Sequence, residues 1–327
     1  MNVMITSRRS QRCSPYLVGT FALAVLGGAA CPHSAATNAS GAHGRDAAPA
    51  PKVSRPSFDG ERAYEALKAQ CAFGPRVPGT EAHRKCRGYL VTELNKYADR
   101  VITQDFEFQR LPMSNVVGFF NEGAKRQVLL GAHWDSRPTA DEEIVPEKRR
   151  MPVMGANDGA SGVAVLLELA RLFKARKPDV GVVIVFFDGE DYGNFQRDWG
   201  VFLGSRRFAK RMKSLCSPTY GILLDMVGDR DLNIYREVIS ERRARKFNDQ
   251  VFSVARELGY GKHLIDRLGY TVIDDHVAIN DAGVPCINLI DFDYPYWHTI
   301  EDTPDRCSAQ SLKIVGETVA EVVYREK

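Results

Sequence analysis

Seven side chains able to bind a metal or move a proton stand at or just beyond the ends of apolar segments in this chain. "VLLGAHWDS" runs into His133 and Asp135, "VVIVFFDGED" into Glu190 and Asp191, "GILLDMVGD" offers Asp225, and "INLIDFDYPYWHT" leads to His298. Between the first two, the glycine-rich "GANDGASG" carries Asp158 just ahead of an apolar helical pattern. Two imidazoles with several carboxylates suit a borderline metal such as zinc, which takes N and O donors and keeps a position open when it is catalytic. Taken singly, each residue has a commoner structural role. Asp158 is placed to cap the helix that follows, His133 to sit satisfied at a strand end, Asp225 to pair with a surface arginine, and His298 to be a loop residue. Their joint placement favours the metal, because several independent coincidences would otherwise be required. Asp188, in the same "FFDGED", reads as a turn or hydrogen-bonding residue.

The elements that must position these groups alternate. From residue 58, "GERAYEALKAQCAF" and "TEAHRKCRGYLVTELNKYA" have helical periodicity, the second with Thr80 as its cap. Extended segments follow at "RVITQDFEFQ", "SNVVGFF" and "RQVLLGAHWD"; then helix, strand, helix and strand at "GASGVAVLLELARLFKAR", "VGVVIVFFDG", "GSRRFAKRMK" and "YGILLDMVGD". A helix at "ERRARKFNDQVFSVARELG", a strand at "GVPCINLID" and a helix at "SAQSLKIVGETVAEVVYRE" complete the pattern. Near-continuous apolar strands alternating with helices predict a single α/β domain, with a mixed, mostly parallel sheet and helices on both faces. In such a sheet, functional groups collect beyond the carboxyl ends of the strands.

Composition narrows the function further. Of 327 residues 44% are hydrophobic, enough for a sizeable core. The formal charge of +3 is misleading: the first 57 residues carry six cations against one anion, which leaves −2 on the remainder. With no basic stripe on the folded part, nucleic acid is excluded as an expected partner. Residues 1–31 have the layout of an export signal: a basic head "SRRSQR", an apolar "YLVGTFALAVLGGAA", then Cys31. "GGAAC" resembles a bacterial lipoprotein cleavage box with Gly28 where leucine is usual. Lipidation of Cys31 and ordinary cleavage after Ala30 are the two outcomes it allows, with an uncleaved anchor behind them. Either of the first two implies an exported protein, periplasmic, secreted or held at a membrane by a lipid. Residues 32–57, rich in Ala, Ser, Pro and His, read as a disordered tether, and 58–327 as the catalytic domain. Seven scattered cysteines lack metal-type spacing; those of the domain are expected to be mostly buried thiols.

The segments "GAHWDS", "GANDGASGVAVLLELAR", "FFDGED", "LGSRRFA", "LLDMVGD", "DDHVAINDAGVPCINLI" and "YWHTIEDTP" come in the order seen in the zinc aminopeptidases and their relatives, the glutaminyl cyclases. The chain resembles that superfamily from about residue 60 to its end. The resemblance implies that Asp158, Asp191 and His298 hold a zinc, Asp191 standing where glutamate is more usual, and that Glu190 is the general acid/base. In the aminopeptidases the positions of His133 and Asp225 bind a second metal, with Asp158 bridging. In the cyclases those positions persist without it, and the counterparts of Asp225 and Asp274 form a hydrogen-bond network behind the catalytic glutamate.

Three features resemble the cyclase branch: Trp297 just before His298, matching a tryptophan that walls the substrate pocket; "DDH" at 274–276; and the insertion "YGNFQRDWGVF" between "GED" and "LGS". The expected activity is conversion of N-terminal glutamine of peptides or proteins to pyroglutamate with release of ammonia, using one Zn2+. The alternative is an aminopeptidase with two co-catalytic metals. A non-enzymatic zinc-dependent binding lipoprotein is a third class, which an intact Glu190 disfavours.

Overall fold

The run GVVIVFF forms strand β4 (Gly181–Phe187), and all of its residues are buried. Side chains alternate across a strand, so such a segment needs apolar cover on two sides. Val182, Ile184 and Phe186 enter one core with helices α3 (Ser161–Ala175) and α7 (Ala309–Arg325). Val183, Val185 and Phe187 enter the other, with Phe208 and Met212 of α4 (Leu203–Leu215). Each such side chain contributes about 1.5–3 kcal/mol relative to exposure, which fixes both the strand and its covering helices.

The structure, a computed structural model, describes residues 54–327. The expected export signal, Cys31 and the expected tether up to residue 53 therefore lie outside the described residues. Arg55 already bonds the domain, donating to Glu321 of α7 at 2.7 Å.

β4 is flanked by β3 (Gln127–His133) and by β2 (Leu111–Phe120), in a six-stranded sheet of order β1-β2-β4-β3-β5-β8. β1 is Arg100–Phe108, β5 Tyr220–Asp225 and β8 Cys286–Ile290. Strands β4, β3, β5 and β8 run parallel, and the β1–β2 hairpin adds the antiparallel edge. This is the expected mixed sheet covered on both faces. Four parallel strands deliver four carboxyl ends to one side, which is where the candidate residues collect.

Helix α1 (Gly60–Cys71) is capped by Asp59, and α2 (Glu81–Asn95) by Thr80, whose hydroxyl accepts from the His83 N–H at 3.2 Å as the sequence predicts. α5 (Val238–Glu257) starts earlier than the periodicity predicts, at a cap formed by the Glu237 carboxylate. The sequence gives no sign of α6 (Asp275–Asp281) or of the small parallel pair β6 (Ile234–Arg236) and β7 (Leu264–Leu268). These elements are too short for a period to show. Among the described residues no helix is long and apolar enough to cross a membrane. Cys71, Cys86, Cys216, Cys286 and Cys307 are free and buried, as expected. Burial pushes the Cys71 thiol up to about 11 and Cys86 up to about 12, leaving neither a nucleophilic thiolate at neutral pH.

Two glycines of "GANDGASG" set the approach of α3 to the strand ends. Gly159 has φ +105°, and a Cβ there would lie 2.3 Å from the Asp135 carbonyl oxygen. At Gly162 a Cβ would meet the Leu224 carbonyl oxygen at 2.2 Å and the Ala132 methyl at 2.9 Å. Gly162→Ala is expected to cost about 1–3 kcal/mol, as overpacking does. At about 2–4 °C per kcal/mol, thermal denaturation would show a melting point several degrees lower; an unchanged melting point would mean that α3 has room to shift.

Candidate metal centre

His133 and Asp225 are the last residues of β3 and β5; Glu190 and Asp191 follow β4; His298 lies eight residues beyond β8. Asp158 reaches the same point from the turn before α3. It does not cap that helix: the N-cap is Ala160, without a side-chain bond. The Asp158 carboxylate stands between the two imidazoles, Oδ1 at 3.1 Å from His133 Nε2 and Oδ2 at 3.6 Å from His298 Nε2. His298 Nε2 is also 3.3 Å from Asp191 Oδ1, and His133 Nε2 is 3.2 Å from Asp225 Oδ1. Two three-residue groups thus share Asp158: Asp158, Asp191 and His298, and His133, Asp158 and Asp225, each with donor atoms within 4.8 Å of one another. All are buried.

His298 holds a left-handed backbone, φ +54°, which disfavours a non-glycine residue by about 1–2 kcal/mol. Its position is held from several directions. The Trp297 ring stacks on it at 3.8 Å between centroids, and Phe195, from the insertion after Asp191, stacks at 6.0 Å. The Asp302 carboxylate accepts the Asn157 and Asp158 N–H groups at 2.8 and 3.1 Å, fixing the Asp158 turn. Asp135 does the same for the next strand, accepting from the N–H groups of Glu190 at 3.1 Å and Asp191 at 3.2 Å.

The donor set fits a divalent cation on two counts. Asp158 Oδ2 and Asp191 Oδ2 are buried without a hydrogen-bond partner, and so is His133 Nδ1. Unpaired buried carboxylate oxygens carry a high desolvation cost that a cation removes. The protonation equilibria also register crowded charge. Burial, then the Asp191 charge, raise Asp158, while His298 is pushed up to about 9, its burial outweighed by Asp191 and Asp141. Asp158, Asp191 and His298 form one of the two groups whose donor atoms lie close enough together to hold an ion.

Glu190 stands apart from that set. Its Oε2 is 3.8 Å from His133 Nδ1, and burial, with Asp191 and Asp274 adding negative charge, raises its pKa well above the ordinary carboxylate range despite His133. Asp274 caps α6 and accepts from the Asn288 side chain at 2.7 Å; burial and the neighbouring charge of Asp225 push it up to about 7. Asp225 is turned toward His133 and not toward a surface arginine. Asp188 serves the scaffold, as read: it accepts from the Ser114 N–H at 2.6 Å and pairs with His83 at 2.9 Å. Every candidate named from the sequence therefore lies at or beside one buried cluster. Arg137, Asp141, Phe195 and Asn288 were missed. Arg137 and Asp141 had one available signal, an Arg–Asp pair four apart in "DSRPTAD" directly after the metal-type residues.

Nitrogen and carboxylate donors at the carboxyl ends of a parallel sheet, with a further carboxyl group beside them, define a metal-dependent α/β enzyme. The chain belongs to peptidase family M28, whose family model matches residues 115–323. Among its relatives, the glutaminyl-peptide cyclotransferase of Bos taurus is 28% identical over 292 residues, spanning 76% of this chain and 79% of that protein. Among solved structures, Tannerella forsythia glutaminyl cyclase superposes with a TM-score of 0.80 at 42% identity, covering 83% of this chain and all of that one. A leucine aminopeptidase precursor from Bacteroides thetaiotaomicron gives 0.82 at 39%, covering 84% of this chain and all of that one.

Proposed function

We propose that this chain is a glutaminyl-peptide cyclotransferase, converting the N-terminal glutamine of peptides to pyroglutamate with loss of ammonia. The observation that carries this reading is the aromatic enclosure of the cluster's histidine by Trp297 and Phe195, with Glu190 free of ligand duty beside it. The names borne by its relatives agree.

Asp158, Asp191 and His298 would hold a single zinc. The chemistry that the metal supplies when bound is Lewis acidity toward a carbonyl oxygen. Glu190 takes a proton from the substrate's neutral α-amine as its nitrogen bonds to the side-chain carbonyl carbon. It then returns that proton to the amide nitrogen as the C–N bond breaks and ammonia leaves. No water is consumed. Trp297 and Phe195 keep the glutamine side chain folded back on its own amine, the near-attack shape that cyclisation requires. Asp274 adds negative charge around Glu190, and Asp225 in turn acts on Asp274.

Mass spectrometry of a glutamine-initiated peptide tests the reaction. The expected product is lighter by one ammonia with every peptide bond intact. Trp297→Ala is expected to lower kcat/KM for such peptides with zinc content unchanged. The second donor group, His133, Asp158 and Asp225, is the observation that favours an aminopeptidase. Free leucine released from a leucine-initiated peptide faster than glutamine is cyclised would establish that reading instead.

Export belongs to the same proposal and rests on residues 1–31. The intact mass of protein isolated from membranes is expected to correspond to a lipid-bearing N-terminal Cys31; an unmodified N-terminus at Cys31 means ordinary cleavage, and a retained 1–30 segment defeats export by cleavage.

A further inference from the structure

Arg137 lies on the loop after β3 and is 95% buried by its surroundings. Its Nη1 donates to Asp191 Oδ1 at 2.7 Å and to the Asp191 carbonyl oxygen at 3.2 Å. The other edge of the guanidinium, Nε and Nη2, meets both oxygens of Asp141 at 2.6 Å. Asp141 Oδ1 in turn is 3.4 Å from His298 Nδ1, the ring nitrogen turned away from the other donors. The next residue reinforces the link, the Glu142 N–H donating to the His298 carbonyl oxygen at 3.3 Å. One guanidinium thus joins two of the three ligand residues, Asp191 directly and His298 through Asp141.

Each contact has a chemical consequence. Because Arg137 occupies Asp191 Oδ1, only Oδ2 is left unpartnered, so this short carboxylate offers a metal a single oxygen. Because Asp141 Oδ1 faces Nδ1 at 3.4 Å, it favours the proton of His298 on that nitrogen once an ion takes the place of the proton on Nε2. Lysine could not reproduce the arrangement: it is a point charge without the planar fork that grips two carboxylates. A cation this close also opposes a divalent ion, so keeping Arg137 here makes sense only if positioning outweighs repulsion.

We infer that Arg137 and Asp141 are a positioning pair that sets the affinity of the Asp158–Asp191–His298 site for zinc, by fixing which oxygen of Asp191 and which nitrogen of His298 face the ion. The inference rests on the metal-ligand reading above. It concerns residues that do not themselves touch the ion.

The test is zinc affinity, measured by competition with a chromophoric chelator on the folded chain, with circular dichroism to confirm the fold. Asp141→Asn alters a half-exposed side chain and is expected to weaken zinc binding about 10–100-fold, the usual effect of losing the partner of a ligating histidine. Arg137→Lys keeps the charge and loses the fork, and is expected to weaken it at least about 10-fold; a variant that fails to fold leaves the decision to Asp141→Asn. Asp141→Glu, which restores the carboxylate and its charge, should recover part of the loss. Asp158→Ala is the control expected to abolish tight zinc binding. If the control binds zinc normally, the ligand reading itself fails. If the control loses zinc while Asp141→Asn and folded Arg137→Lys stay within twofold of the parent, the positioning role is overturned and the ligand reading stands.

Discussion

Glu190→Gln is expected to lower turnover by about 10²–10⁴-fold, the usual contribution of a general acid/base group, while zinc content and fold are unchanged. The amide has nearly the same shape as the carboxyl group but cannot relay a proton. The group is suited to the task by its surroundings: it is buried and flanked by Asp191 and Asp274. A steady-state assay paired with metal analysis decides the matter. Loss of zinc in the variant would make Glu190 a ligand and reverse its division of labour with Asp191. Near-normal turnover would remove it from the mechanism.

Dialysed protein is expected to carry one zinc per chain and to lose all measurable turnover when that zinc is stripped, recovering it on re-addition. Asp158 is the residue on which both donor groups converge, so the count of tightly held ions separates the two chemistries that share this fold. One ion, retained in His133→Ala, agrees with the cyclase. Two tightly held ions, with His133 and Asp225 both required, would install the aminopeptidase. Elemental analysis of parent and variants reads this directly, and no assumption about the substrate enters.

The fold was largely legible in the sequence because its signals are local. β4 had to be buried on two faces since every one of its seven residues is apolar or glycine, and Thr80 announced the start of α2 by its own side chain. α6, β6 and β7 were not legible, because three to seven residues cannot display a period and their conformation is set by what packs on them. Residue type and strand-end position also determined, before any coordinates, that His133, Asp158, Glu190, Asp191, Asp225 and His298 would face one region. Only the tertiary structure decided how they meet. The sharing of Asp158 between two imidazoles, the left-handed turn that presents His298, and the link from Arg137 through Asp141 to that histidine join segments 25 to 157 residues apart. Which oxygen of a carboxylate is left unpartnered depends on distances of a few tenths of an ångström between such segments, and no spacing along the chain encodes them.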